Sequence, residues 1–378
     1  MKKCLLHFCC VALLASSLVL APSAPAAAAP KSWRIAVIVG GPSINYQRAL
    51  QGLAERLAEL GIISNGTVPL PEHDESLAPM WQWLAENARG DTLRFVADAF
   101  YSPEWNPEKR AQVRHDLVAR LRNKGDIDCV LAFGTWSGQD IVLETLNIPL
   151  LILSTTNAVE AGIIPSPDDS GRDNLLAIVQ PDRYKREVQT FYELIGFSKL
   201  GIVYEDTPTG RSSIALKEIE AAVRDTRVEL LRCIDFFDIE DSELAAQRLR
   251  ICHENLVQQG VDAVYLTFNQ TYNRRLPGDK NNVLEPLMKA GIPTFAQPGA
   301  DLVKRGALLS SAKNSYREEG IFAAEALEKF LYGSLPRSLS QRYESTVSLA
   351  VNLRTAARIG WNLPMEILAA VDEFYRDF

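Results

Sequence analysis

From Trp33 onward, short unbroken apolar runs alternate with longer segments whose apolar residues recur at helical spacing. WRIAVIVG (33–40) is the first run. A strand covered on both faces has this continuous pattern. Residues 45–60 follow with helical periodicity and stop at Gly61, a common helix terminator. TLRFVADAFY (92–101), CVLAF (129–133) and IPLLILST (148–155) are predicted as further strands, with a helix over 107–123. A second series then begins. Predicted helices over 184–196, 212–223, 241–259 and 282–290 alternate with predicted strands KLGIVYE (199–205), 228–236, DAVYLTF (262–268) and IPTFAQ (292–297). Such alternation implies parallel sheets with right-handed crossovers. The fold class is therefore α/β, with two Rossmann-like lobes joined near residues 176–182. One segment, PLPEHDESLAPMWQWLAENAR (69–89), does not fit the alternation. It reads as an insertion that either covers the cleft or packs on the first lobe.

The first 29 residues form a separate object. Lys2 and Lys3 precede an apolar stretch from about Leu5 to Leu20, and small residues follow. That is the layout of a secretory signal peptide. A membrane anchor is disfavoured: His7, Ser16 and Ser17 interrupt a stretch already short of the roughly 20 residues a span needs. A lipoprotein is disfavoured too, because Cys4, Cys9 and Cys10 lie before or inside the apolar run. The mature protein is expected to be soluble and periplasmic. Its cysteines are Cys129, Cys233 and Cys252, an odd number at wide spacing. They read as buried thiols rather than a Cys233–Cys252 bridge. The 378-residue chain is 47% hydrophobic, which suits a large core, and its formal charge of −7 with no Lys/Arg run argues against nucleic acid.

Ligands of open α/β sheets sit beyond the carboxyl ends of the strands. Those ends share one composition here: small hydroxyl or amide residues with an aromatic. They supply Ser43 and Tyr46; then Thr135, Trp136 and Ser137; then Ser154, Thr155, Thr156 and Asn157; and, in the second half, Tyr204, Asn269 and Gln297. Each hydroxyl alone could be an ordinary N-cap. Together with free N–H groups at helix starts they could also hold an anion, and the aromatics could wall an apolar pocket. In GTWSG, Thr135 and Ser137 are expected to cap the next helix or hold that anion, and Trp136 to face the cleft.

Catalytic signals are weak. His73, His115 and His253 lie away from strand ends, and no HExxH, CxxC or GxSxG occurs. GTWSG lacks the spacing and Lys of a phosphate loop, and IVGGPS lacks the order of a dinucleotide loop. Asp126 with Asp128, or Glu205 with Asp206, are candidate carboxylate pairs, but neighbouring acids in loops are usually solvated. No cofactor and no metal are expected.

Five segments carry a resemblance: IAVIV with YQRALQGLAERLAELG; DCVLAFGTWSGQDIVLETLNIPLLILSTTNAVEAGII; KLGIVYED with GRSSIALKEIEAA; GIPTFAQPGADLVKRGALLSSAKNSYREEGIFAAEALEKFLYG; and SLAVNLRTAARIGWNLPMEILAAVDEFY. Over about residues 34–375 the chain resembles the ABC-transporter substrate-binding family whose better-known members are described as tryptophan- or tyrosine-binding. The resemblance implies the type I periplasmic-binding-protein architecture, with three crossover strands and the ligand between lobes. It implies a first lobe of 33–177 plus 309–340 and a second of 178–308 plus 345–378, closing with a last helix after VNLRTAARIGWNLP. It also implies that the strand-end residues above bind the ligand, together with Asn314. Members often carry Asp where this chain has Asn269, Gln297 or Pro298, and Asn314. Such an acid would suit a ligand ammonium, and Glu205, Asp206 or Asp301 could replace it. The expected protein is a monomeric exported receptor that passes a small molecule, amino-acid-like or an aromatic carboxylate, to an ABC permease of the inner membrane. A sensory receptor partner and an exported enzyme stay open as other readings.

Overall fold

A computed structural model describes residues 32–72, 74–237, 241–272, 282–312, 314–345 and 348–376. The expected leader and His73 lie outside the described residues, as does the side chain of Asn314. WRIAVIV forms β1 (Trp33–Val39), buried on both faces from Ile35 onward. It lies between β2 (Leu93–Tyr101) and β3 (Cys129–Phe133), and β4 (Leu150–Leu153) and β5 (Leu175–Ala177) complete a parallel sheet ordered β2-β1-β3-β4-β5. Helix α1 (Ile44–Glu59) covers one face. The insertion supplies α2 (Ala78–Asn87), which packs on β2 through fully buried Trp81, whose Nε1 donates to the Val96 carbonyl at 2.9 Å. Ahead of α2, the carbonyls of Asp74 and Ser76 both accept from the Gln47 amide, and the Glu75 carbonyl accepts from Ser43 N. The insertion thus packs on the first lobe and pins the start of α1.

Helix α3 (Pro107–Asn123) matches its predicted span. Helix α4 (Gly134–Val142) begins directly after Phe133, so GTWSG is its first turn rather than a stretch that caps it from outside. Glycine and hydroxyl residues signal turns, but here the buried neighbours Phe133 and Ile141 draw the backbone straight from strand to helix.

The second sheet has the order β12-β11-β10-β9-β8-β6-β7 and is parallel except where β10 meets β11. Its strands are β6 (Lys199–Tyr204), β7 (Glu229–Ile234), β8 (Ala263–Leu266), β9 (Thr294–Ala296), β10 (Leu309–Ser311), β11 (Leu349–Asn352) and β12 (Val371–Tyr375). Helices α5 (Arg183–Ile195), α6 (Pro208–Ser213), α7 (Leu216–Thr226) and α8 (Ser242–Gln258) accompany the first of them. The predicted helix over 212–223 is split by Ala215, at φ +52°. Short helices α9 (Glu285–Lys289) and α10 (Ala300–Lys304) lead to β10. Helix α11 (Asn314–Leu331) then returns to lie on α1. A Cβ on Gly52 would collide with the Arg317 carbonyl, and one on Gly320 with the Ala49 carbonyl, so the two backbones touch where glycines meet.

Three expectations need correction. β10 pairs in the second sheet, so the passage back to the first lobe follows Ser311 rather than preceding Leu309. The last helix is instead α12 (Leu353–Ile359), followed by a 3₁₀ turn and strand β12. VDEFY buries only alternate residues, the period-2 pattern of an edge strand, and β11 provides the pairing partner. Finally, Cys233 on β7 and Cys252 on α8 form a disulfide, with Cα atoms 5.5 Å apart. Cys129 alone is the buried free thiol among the described residues. Strand and helix stack face to face across one βα unit, a proximity that 19 residues of sequence separation conceal.

Among the described residues, the chain passes between the sheets along 178–182, at Ala312 and along 340–345. The first and third passages are hydrogen-bonded side by side. Val179 N donates to the Gln341 carbonyl and Tyr343 N to the Val179 carbonyl, each at 2.9 Å.

Candidate functional site

A cavity of about 370 Å³ lies beyond the carboxyl ends of the strands and takes residues from both sheets. From the first lobe it is lined by Ser43, Tyr46, Thr135, Trp136 and the Ser154–Thr156 loop; from the second, by Tyr204, Asn269 and Gln297. Among the described residues, two expected ones, Ser137 and Asn157, are not on its wall. Ser137 is buried, 1% exposed, and its Oγ has no partner among the described residues. Asn157 sits at the rim, where its Nδ2 donates to Glu218 of α7 at 2.8 Å. Thr135 and Ser137 do not cap α4 either, whose N-cap is Phe133.

One wall is aromatic. The Trp136 ring meets Trp105 edge to face at 5.5 Å, and the Arg110 guanidinium lies 4.7 Å over it. Arg110 is itself fixed by both oxygens of Asp140 (3.0 and 2.9 Å) and by the Trp136 carbonyl at 3.0 Å. Trp105 was not anticipated. Its Nε1 donates to the Pro42 carbonyl at 2.9 Å, and its ring lies flat on Gly40 and Gly41, where any Cβ would collide with it. The chain reaches this pose through Glu104 and Trp105 at φ +56° and +57°, a left-handed pair that costs energy at a non-glycine site. The glycine pair at the first strand end was the available signal. In the same way the Tyr46 hydroxyl occupies the place of a side chain at Gly134, whose φ of +87° also favours glycine.

The polar groups gather where the passages enter. Arg183 opens α5, and its Nε donates to Glu187 at 3.1 Å. Its guanidinium lies 4.8 Å from the Tyr316 ring and 5.3 Å from that of Tyr184. Glu187 is tied further by the Tyr265 hydroxyl and Ser311 Oγ, both at 2.7 Å. Glu319, on the second turn of α11, accepts from Ser154 N at 2.6 Å and Ser154 Oγ at 3.1 Å. Ser154 holds a left-handed φ of +57° to make both bonds. Burial pushes the Glu319 carboxyl above the usual range. Among the described residues, four buried polar atoms on this side have no partner: Arg183 Nη2, both ends of the Gln180 amide and Thr155 Oγ1. Arg183, Gln180, Tyr316 and Glu319 escaped sequence reasoning because none follows a predicted strand; the crossovers bring them in.

Other nominated groups are committed elsewhere. Gln297 spends its amide on the Phe268 N–H and the Ile214 carbonyl, and Asn269 Oδ1 accepts from Thr271 N. Glu205 lines the cavity and accepts from Phe237 N at 2.8 Å. Asp206 pairs with Arg211, and Asp301 pairs with Arg48. Asp126 and Asp128 pair with Arg120 and Arg34. His253 is a core histidine: its Nδ1–H donates to the Val283 carbonyl, and its Nε2 accepts from the Tyr272 hydroxyl.

Comparison with known proteins completes the description. Residues 99–374 match the family model described as ABC transporter substrate binding protein. Among solved structures, a conserved domain protein from Vibrio cholerae is similar at 18% identity and a TM-score of 0.67, covering 91% of this chain and 100% of that one. An ABC domain from Streptococcus pneumoniae, in complex with L-Trp, is similar at 16% identity and 0.66, with coverage of 91% and 100%. A ligand-free, open substrate binding protein with adhesive properties from Clostridium difficile follows at 15% and 0.59, with coverage of 92% and 100%. At these identities the likeness establishes the shared two-lobed fold. No curated protein sequence matches the chain.

Proposed function

Because the chain belongs to the family of ABC transporter substrate binding proteins, we propose that it captures a small ligand, amino-acid-like or an aromatic carboxylate, between its lobes and delivers it to an ABC permease of the inner membrane. One observation carries the ligand class: one cavity joins an aromatic wall, Trp105 and Trp136, to buried donors and acceptors that have no partner among the described residues. Buried polar groups are normally hydrogen-bonded, so unpartnered ones in a cavity mark what a ligand should supply. The lobes bend at the paired passages and close on the ligand, whose contacts with both lobes exist only in the closed state. The protein works as a monomer and as a binder without catalysis. Its place is outside the cytoplasm, which the Cys233–Cys252 disulfide supports, since such bonds persist in oxidising compartments.

Native mass spectrometry of protein purified without refolding tests the reading. The expected result is a non-covalently retained small molecule. Calorimetry of emptied protein against a panel of amino acids and aromatic carboxylates is then expected to find at least one that binds one-to-one. A protein that retains nothing and binds none of them would sink the proposal.

A further inference from the structure

Glu319 is only 8% exposed and faces the cavity. Two hydrogen bonds from Ser154 hold it, both from uncharged donors. Among the described residues it has no ion-pair partner. Arg183 is near enough to act through space but is committed to Glu187 by its Nε. Arg110 is likewise neutralised by Asp140. Both arginines on the wall therefore already have their own carboxylates, and Glu319 is a buried acid left over. A buried carboxylate without a cation is costly, whereas one that receives a ligand's charge gives selectivity.

The family resemblance leads one to look for an acid near Asn269, Gln297 or Asn314. Two of those side chains are tied to backbone groups of the second lobe. Glu319 comes instead from the helix that returns to the first lobe, fixed by a strained serine. Resting on the proposed binding of a small ligand, we propose that Glu319 is the counter-ion for a cationic nitrogen of that ligand. Arg183 Nη2, Thr155 Oγ1 and the Gln180 amide then hold an oxygen-bearing group of the same molecule. The pocket selects ligands with an ammonium or similar cation and rejects plain carboxylates, whose charge Glu319 would repel. Where the proposed function allows an aromatic carboxylate, this inference excludes it.

The test uses the whole protein, emptied of ligand, with matched probes: L-tryptophan, indole-3-propionate and tryptamine, and the corresponding sets built on phenylalanine and leucine. Any molecule retained on native purification is identified by mass. Glu319→Gln keeps an acceptor for Ser154 N and the side-chain shape, and circular dichroism checks its fold. The retained molecule is expected to carry a cationic nitrogen. Within any set that binds, the deaminated acid is expected to bind at least 100-fold more weakly than the amino compound. Glu319→Gln is expected to remove most of that difference. A retained neutral or purely anionic ligand, or a Glu319→Gln protein with unchanged preference for the amino compound, would overturn the inference while leaving the binding function standing. Absence of any retained or bound molecule would overturn both.

Discussion

Trp105 and Trp136 are held in place by the protein alone, whereas Arg183, Gln180 and Glu319 are held only in part. The aromatic wall is complete: one indole rests on Gly40 and Gly41, the other is clasped by Trp105 and Arg110, and each polar atom that positions them is bonded. The crossover groups are rigid but unfinished, with Arg183 gripped by Glu187 and two tyrosines yet its Nη2 unused. A finished wall offers area and shape. An unfinished polar group offers specificity, because a wrong ligand leaves it buried and unpaired.

Breaking the unfinished side should cost most. Arg183→Lys keeps a cation for Glu187 but loses the planar fork. Calorimetry is expected to show an affinity loss on the order of 100-fold, about 3 kcal/mol, as for a buried charged hydrogen bond, with the melting midpoint nearly unchanged. Trp136→Ala removes half of the finished wall. A loss of roughly 30-fold is expected, about 2 kcal/mol, the size typical of a hot-spot aromatic. Folding should change little, because Trp136 is half-buried; unchanged affinity would remove Trp136 from the site. Gly41→Ala tests the support rather than the ring. It should displace Trp105, weaken binding about tenfold and lower stability by about 1–3 kcal/mol, the range for overpacking, read from denaturant unfolding.

The smallest effect concerns the rim. Glu218 accepts the N–H groups of Tyr184 and Lys185 and the Asn157 amide, and burial pushes its carboxyl up to about 7. The folded state thus keeps a proton that the unfolded state has released. That contribution to stability is full below the unfolded value, near 4.5, and is lost as pH rises through about 7. The melting midpoint of the wild type relative to Glu218→Gln should therefore fall between pH 5 and pH 8, by about 1–3 °C for a chain of this size. A constant difference would refute the assignment.

The same contrast explains what could be read in advance. Strand ends are marked by the switch from apolar run to Ser, Thr and Gly, so Ser43, Tyr46, Thr135, Trp136 and Ser154 could be found one strand at a time. Trp105 sits only four residues past a strand end, but its left-handed backbone is not a property of its own residue type. Arg183 follows β5, three residues too short to register as a strand, and Glu319 depends on where a helix lands after its chain has changed lobes. The predicted strand over 148–155 runs past β4 because Ser154 turns left-handed to meet that same Glu319. Local pattern fixes elements and their ends, while the crossovers decide which distant residues share a cavity.

The paired passages carry a mechanical consequence. Two chain segments bridged side by side at Val179 and Arg342 form a short ribbon, easier to bend across its flat face than to shear. The closure proposed above would then be a swing about this ribbon, with each residue's travel growing with its lever arm from the axis. Gln180 and Arg183 follow Val179 closely in the chain and would travel least in such a swing. On that proposal a ligand would dock its polar end there while the lobes are still apart, and the distant loops would then arrive in a fixed order along a single arc.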